Sequence, residues 1–285
     1  MREGLIIRHR AASLAALLLA ATATGVTAMA APPSRVASMN LCTDVLLYEI
    51  AGREQIASLS HLAVDPLVSY YAPAMGDFPI NHGHAEELLA LKPDLVLAAG
   101  FSPSPTLRLL ERQGIAVTII PTARALAALP GLYRETARLL GRPQRGEHHA
   151  RRLAALAEAA AGAPNRGPRA VVFQANGLTY GAGTLAHDVL RAAGLRNLAA
   201  ENGLEGAGYV SLEELLHGRP DVVVLGAHHG WPSRGQALLE HPVFRRYVKT
   251  AAAPRLVNLP ERFWACPGAY LVEAVERLRR AASPP

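Results

Sequence analysis

Five histidines, His61, His82, His84, His228 and His229, fall in loops at or near the ends of expected strands. Imidazole is the commonest transition-metal ligand, so a metal or heme site is the first chemistry to test. No pair has helical i, i+4 spacing with an intervening glutamate, and there is no Cys-x-x-Cys. Taken singly, each reads as a hydrogen-bonded or exposed loop residue; His82 or His229 could hold the axial position of a heme iron. Gly181-Ala182-Gly183-Thr184-Leu185-Ala186 fits G-x-G-x-x-A, with Glu201 twenty residues on. A dinucleotide site needs that turn directly on a strand end, and here about six loop residues follow Gln174. Gly-x-Ser-x-Gly is absent, and no serine has an evident histidine-and-carboxylate setting. No enzyme motif survives.

What remains is aromatic and cationic. Phe101, Tyr180, Tyr209, Trp231, Phe263 and Trp264 lie in or near expected loops, with Arg234 and Arg262. Aromatic faces with a few cations suit a bulky, partly planar or anionic ligand. For Tyr209 and Phe263, packing between lobes is the competing role. The two cysteines, Cys42 and Cys266, are 224 positions apart. In an oxidising compartment they are either one disulfide or two separate buried or cleft-lining thiols.

The elements that must position these residues alternate. Short apolar runs and helical stretches follow one another throughout, which predicts parallel sheets with crossover helices. Strands are expected over Arg35–Met39, Ile56–Leu59, Asp94–Ala98 and Ile115–Ile120, then over Ala170–Phe173, Asp221–Leu225 and Arg255–Leu259. Helices are expected over Leu41–Ala51, Ala85–Leu91, Pro105–Gln113 and Leu132–Leu140. Gln144–Ala161 reads as a long helix with few apolar anchors, and Leu185–Ala193, Leu212–Leu216, Gln236–Tyr247 and Ala269–Arg280 as helices of the second half. The fold class is α/β: an N-terminal lobe (31–140), a connecting helix (141–164) and a C-terminal lobe (165–285).

One internal repeat supports two related lobes. Ala85-Glu86-Glu87-Leu88-Leu89-Ala90-Leu91-Lys92-Pro93-Asp94 is echoed by Leu212-Glu213-Glu214-Leu215-Leu216-His217-Gly218-Arg219-Pro220-Asp221, and three apolar residues follow each. In open parallel sheets ligands bind beyond the carboxyl ends of the strands. Those loops hold Asn40, Cys42, Thr43, His61 and Phe101 in the first half, with Asn81 and His82 ahead of the Glu86 helix. In the second half they hold Asn176, Tyr180, His228, His229, Trp231, Arg234, Arg262, Phe263 and Trp264.

Residues 1–30 read as an export signal. Arg2, Arg8 and Arg10 precede a short apolar stretch, and Ala28-Met29-Ala30 is a small-x-small cleavage pattern. The formal charge is +6, from 29 basic and 23 acidic residues. The basic residues, all arginine except Lys92 and Lys249, are scattered, which excludes a nucleic-acid footprint.

The order and spacing of Arg35-Val36-Ala37-Ser38-Met39-Asn40, the Glu86–Leu97 block, Gly181-Ala182-Gly183-Thr184, Ala193-Gly194-Leu195-Arg196-Asn197 and Val210-Ser211-Leu212-Glu213 resemble periplasmic substrate-binding proteins of ABC importers. The group resembled is the helical-hinge one serving ferric siderophores, heme and vitamin B12. The resemblance implies a monomeric, non-enzymatic periplasmic protein without a resident cofactor. It closes on its ligand by a small hinge movement and delivers it to a permease dimer and its ATPase. It also implies that Glu86 and Glu213 dock onto permease arginines. Pro79–His84 and Ala99-Gly100 lack the tryptophan expected of a cobalamin site. A ferric siderophore is therefore the first expectation, with heme and cobalamin as alternatives and a metal ion as a further one.

Overall fold

Strands buried on both faces read as unbroken apolar runs, because parallel sheets are covered by helices on either side. The computed structural model, which describes residues 31–226, 241–250 and 253–282, shows this for β1 (Val36–Ser38), β2 (Ile56–Ser60) and β4 (Leu95–Ala99), buried along their whole length. With β3 (Ile80–Asn81) and β5 (Ala116–Ile120) they form a parallel sheet in the order β3-β2-β1-β4-β5. Between them lie α1 (Leu41–Ile50), the single turn α2 (Ala72–Met75), α3 (Ala85–Leu91) and α4 (Ser104–Arg112). The helices α5 (Leu129–Leu139) and α6 (Pro143–Ala161) follow.

A second parallel sheet is built from β6 (Arg169–Phe173), β8 (Arg196–Asn197), β10 (Val222–Leu225) and β11 (Arg255–Asn258), in the order β11-β10-β6-β8. A small antiparallel pair, β7 (Leu178–Tyr180) and β9 (Ala207–Tyr209), flanks it. The helices α7 (Leu185–Ala192), α8 (Leu198–Glu201) and α9 (Leu212–Gly218) are followed by those at Pro242–Tyr247 and Leu271–Ala282. If β6, β8, β10 and β11 are matched to β1, β2, β4 and β5, the two sheets have one strand order. The expected strands and helices are present, with ends moved by a few residues. Of the helix expected over Gln236–Tyr247, residues 236–240 lie outside the described residues.

The repeat does the same physical work in both places. α3 and α9 each end on a non-glycine residue in the left-handed region, Lys92 (φ 48°) and Arg219 (φ 43°). Pro93 and Pro220 then prevent the helix from continuing. The next side chain reaches sideways to the first strand of its own sheet. Asp94 accepts the backbone N–H of Ser34 (2.7 Å) and Arg35 (3.0 Å), and Asp221 accepts that of Arg169 (2.7 Å). Helix–turn–strand grammar alone does not require that cross-strand clamp.

The sequence reads this segment as a long helix with few apolar anchors; the structure shows α6 packed along one face. Gly146, Ala150, Leu153, Leu156 and Ala160 lie on one buried stripe. α6 contacts α5, α7 and the helix Leu271–Ala282. The anchors were hard to see because they are mostly small residues, chosen for close approach rather than bulk. A Cβ on Gly146 would lie 2.2 Å from Ala137 Cβ and 2.8 Å from the Tyr133 carbonyl oxygen. One hydrophobic cluster consequently runs from Val36 and Val45 through Leu153 and Leu156 to Val222 and Leu271.

Gly146→Ala separates two opposing effects. Helix propensity favours alanine by about 1 kcal/mol. Overpacking against a backbone carbonyl costs about 1–3 kcal/mol and should win. The variant is expected to melt a few degrees below wild type; an equal or higher Tm would contradict the α5–α6 approach.

Candidate functional site

The strand order of each sheet reverses beside its first strand, between β1 and β4 and between β6 and β10. Carboxyl ends at such points are where open α/β sheets bind ligands. In the first lobe, α1 starts there. Asn40 is its N-cap, accepting the Thr43 N–H at 3.3 Å. Cys42, in the first turn, forms a disulfide with Cys266 across 224 positions, Cα to Cα 5.0 Å. Of the two alternatives open in the sequence, the bridge is the one found, and it joins the first turn of α1 to the loop after β11.

Farther along α1, Glu49 is buried and joins the same two regions. Its carboxylate accepts hydrogen bonds from the Tyr71 hydroxyl (2.6 Å), the Tyr133 hydroxyl and the backbone N–H of Ala269 (3.0 Å). Burial pushes its carboxyl up, and those three donors oppose the rise. Gly268 lets the loop lie close, since a Cβ there would be 2.9 Å from Val45 Cγ1. Beside it, Tyr70 stacks on Tyr270 with centroids 4.3 Å apart and meets Phe263 edge-on at 5.2 Å. The Tyr70 hydroxyl donates to Glu273, and burial with that carboxylate pushes it up to about 12.

Under the first-lobe loops lies a buried polar floor. Ser38 and Thr43 share a hydroxyl–hydroxyl bond of 2.6 Å. Asn81 Nδ2 is within reach of Ser38 O (2.9 Å), Ser58 Oγ (2.9 Å) and Leu59 O (3.0 Å). Asp44 accepts from Ser60 N (2.9 Å) and Ser60 Oγ (2.5 Å). This floor fixes the ends of β1, β2 and β3, and with them the loops that carry His61 and His82.

These contacts correct part of the expected ligand set. Thr43 and Asn81 have almost no surface, and their polar atoms hold strand ends. Phe263 is buried between the guanidinium of Arg277, 5.0 Å from its ring, and Tyr70, so the packing role is the one it takes. Arg262 lies 5.9 Å from the same ring, half-buried. Cys42 contributes a disulfide rather than a thiol. Tyr209 is exposed, which removes the packing alternative for it. His228, His229, Trp231 and Arg234 lie outside the described residues.

The remaining described candidates, apart from the buried Asn40, are exposed or half-buried. His61 and His82 stack with centroids 5.3 Å apart and planes 18° from parallel, and His82 Nδ1 is 3.1 Å from Glu87 Oε1. Stacked rings present faces to each other and do not converge on one ion. No group of three histidine, cysteine or carboxylate side chains placed to hold a metal occurs among the described residues. Phe101, 71% exposed, projects from the loop after β4, and Asn176 sits exposed in a left-handed turn after β6. Tyr180 and Trp264 are half-buried. They line a cavity of about 300 Å³ with Arg124, Thr184 and Leu185. Thr184 caps α7 through the His187 N–H (3.2 Å), so Gly181–Thr184 forms a helix entry on the cavity wall.

Two cleft residues escaped the sequence reading. Arg124, exposed and with no ion pair or hydrogen bond among the described residues, comes from the loop after β5. Gln174, at the end of β6, accepts the Tyr180 hydroxyl at 3.1 Å. Both lie in or beside strand-end loops, and that was the available signal. A larger cavity, about 910 Å³, lies beside α9 with Glu213 and Arg219 on its wall, away from the strand ends. Its size does not make it the site, because no candidate ligand-contacting residue lines it. No helix among the described residues is long and apolar enough to cross a membrane.

Two parallel-sheet lobes with facing strand-end loops define a two-lobed ligand-binding protein. Residues 36–263 match the periplasmic binding protein family, and the chain belongs to it. It is a family of binding proteins, not enzymes, and membership implies a periplasmic place of work. A cobalamin-binding protein of Halobacterium salinarum is 29% identical over 203 residues, covering 68% of this chain and 54% of that one. The chain thus spans about half the length of that relative. A periplasmic heme-binding protein of Pseudomonas aeruginosa superposes with a TM-score of 0.67 at 26% identity, over 88% of this chain and 92% of that one. The periplasmic vitamin B12-binding protein of Vibrio cholerae shares the fold, with a TM-score of 0.61 at 20% identity over 88% and 97%.

The polar floor predicts a pH dependence. Burial pushes the Asp44 carboxyl up to about 7, against the hydrogen bonds from Ser38 and Ser60. The folded protein therefore keeps a proton that the unfolded chain has lost. Stability from this group falls as pH rises from about 4 to about 7, by up to ~1.4 kcal/mol per pH unit. Asp44→Asn, neutral throughout and able to accept the Ser60 N–H on Oδ1 while donating its NH₂ to the Ser60 hydroxyl, should flatten the fall in urea-unfolding free energy between about pH 5 and about pH 7. An unchanged slope would refute the assignment.

Proposed function

We propose that the mature chain captures a bulky metal complex between its lobes, a corrinoid in first place, and delivers it to an ABC importer. The observation that carries this is the aromatic and cationic opening formed by Tyr180 and Trp264 of the second lobe and Arg124 of the first. At about 300 Å³ it is at the small end for a ligand pocket and suits one edge of a larger ligand. Phe101 supplies the exposed first-lobe aromatic that Ala99-Gly100 lacks. With the cobalamin-binding relative, this moves the corrinoid ahead of the ferric siderophore expected from sequence. The siderophore remains the second reading, favoured by the unpaired Arg124, which suits an anionic iron complex. Heme is the third, with exposed His82 at the rim as its axial ligand.

Parallel tryptophan-fluorescence titrations with cyanocobalamin, hemin and ferrichrome decide among them. The expected result is saturable quenching by cyanocobalamin with a Kd of about 1 μM or lower, at least about tenfold tighter than the others. Tighter binding of ferrichrome or hemin replaces the corrinoid assignment, and no response to any of the three overturns the ligand class.

Delivery rests on a division of labour within the repeat. The second glutamate of each pair is occupied locally: Glu87 accepts the His82 N–H (2.6 Å), and Glu214 completes a capping box with Ser211 (2.7 Å). The first of each pair, Glu86 and Glu213, is exposed at the start of its helix with no hydrogen bond or ion pair among the described residues. Capping therefore does not account for them, and docking on arginines of a permease dimer does. We assign residues 1–30 to a cleaved export signal. In the mature, monomeric carrier, lobes 31–140 and 165–285 are joined by 141–164, and the coupled ATPase powers release. Glu86→Arg combined with Glu213→Arg should leave ligand affinity within about twofold and reduce import at least about tenfold. Full import by the double variant would refute docking.

A further inference from the structure

The cleft ends of the two first strands carry the same functional group at the same place. Val36 lies opposite Leu95 and Ala170 opposite Val222, and Leu95 and Val222 are counterparts in the repeat. Counted forward from Val36 and from Ala170, Asn40 and Gln174 stand at the same step beyond β1 and β6. Both are carboxamides, and both are buried apart from a sliver of surface, 6% for Asn40 and 5% for Gln174.

Their hydrogen bonding matches too. In each, the carbonyl oxygen is used: Asn40 Oδ1 accepts the Thr43 N–H at 3.3 Å, and Gln174 Oε1 accepts the Tyr180 hydroxyl at 3.1 Å. In each, the NH₂ nitrogen is buried with no hydrogen-bond partner among the described residues. Buried donors are seldom left unmet, because the lost hydration is not recovered. Among the described residues the hydroxyls of Thr136, Thr179 and Tyr247 and His149 Nδ1 are also without a hydrogen-bond partner, but they are not matched across the repeat. The neighbours join the pair to the opening. Asn40 is two residues from Cys42, whose disulfide partner Cys266 is two residues from Trp264, and Tyr180 sets the Gln174 amide while lining the same cavity as Trp264.

We propose that Asn40 and Gln174 are a pair of ligand-binding carboxamides, one per lobe, that donate hydrogen bonds to oxygen acceptors on the periphery of the cargo. The proposal rests on the cleft reading above and deepens it. With both carbonyls used, the pair offers donors only and no charge. It therefore selects carbonyl, carboxamide or carboxylate oxygens over hydrocarbon edges or donor groups. A ligand that reaches both lobes meets one such donor on each side.

The test uses the full mature chain and the three probes cyanocobalamin, hemin and ferrichrome. Asn40→Asp keeps the helix cap and loses the NH₂ group, and Asn40→Ser does the same without a carboxylate. Gln174→Glu keeps the acceptor for Tyr180, and Gln174→Met removes polarity at similar volume. Each variant is expected to weaken the probe that wild type binds by about tenfold, while the Asn40 variants melt within a few degrees of wild type. Wild-type affinity in all four overturns the pair and leaves the cleft reading standing. So does a lowered Tm with unchanged Kd, the signature of a purely structural role. If wild type binds none of the probes, the cargo reading falls, and the pair falls with it.

Discussion

The structure depends on how α1 is held to the loop at 264–269. The helix begins at the cleft and runs away from it, and it is fastened to the second lobe at both ends. Near its start the Cys42–Cys266 disulfide closes a loop of 224 positions. In the chain-entropy account a loop of that length stabilises by up to ~5 kcal/mol. Near its end the Glu49 carboxylate is out of water, a costly position for a charge unless it is fully hydrogen-bonded. Donors from Tyr71, Tyr133 and Ala269 meet that requirement. With one face of α6 packed against α5, α7 and the helix Leu271–Ala282, and one apolar cluster running through both lobes, wide opening would break several such contacts together.

The near-symmetry of the lobes separates structural work from functional work. In both copies of the repeat, the aspartate clamps the first strand and the second glutamate accepts a backbone N–H ahead of its helix, that of His82 for Glu87 and that of the N-cap Ser211 for Glu214. What is then left over is also paired: Glu86 and Glu213 are both exposed at the starts of equivalent helices, and the Asn40 and Gln174 amides lie at the strand ends with no partner for their NH₂ groups among the described residues. Of these, the buried amides are the ones whose lost hydration the described residues do not replace.

The architecture was legible because its signals are local. Apolar runs bounded by proline and glycine gave the strands, and the Pro-Asp turn gave the repeat. Short elements were missed: β3 and β8 have two residues each, and β7 and β9, three residues each, pair antiparallel across the intervening α7, β8 and α8. The site was legible at the level of loops but not of atoms. Thr43, Asn81 and Phe263 lie in the right segments, yet their side chains turn to partners from other elements that spacing cannot show. Arg124 and Gln174 were missed for the same reason. Being unpartnered, or partnered on one side only, is a tertiary property. The small-residue face of α6 looked like weak anchoring because close packing and poor packing have the same composition there.

The central claim is that ligand binds at the facing strand ends and not in the larger cavity beside α9. Hydrogen–deuterium exchange of the mature protein with and without saturating cyanocobalamin tests this most directly. The account predicts added protection at residues 39–43, 99–102, 121–125, 174–184 and 260–266, with 212–219 unchanged. Protection confined to 212–219 and 241–243, with the strand-end loops unaffected, would contradict it.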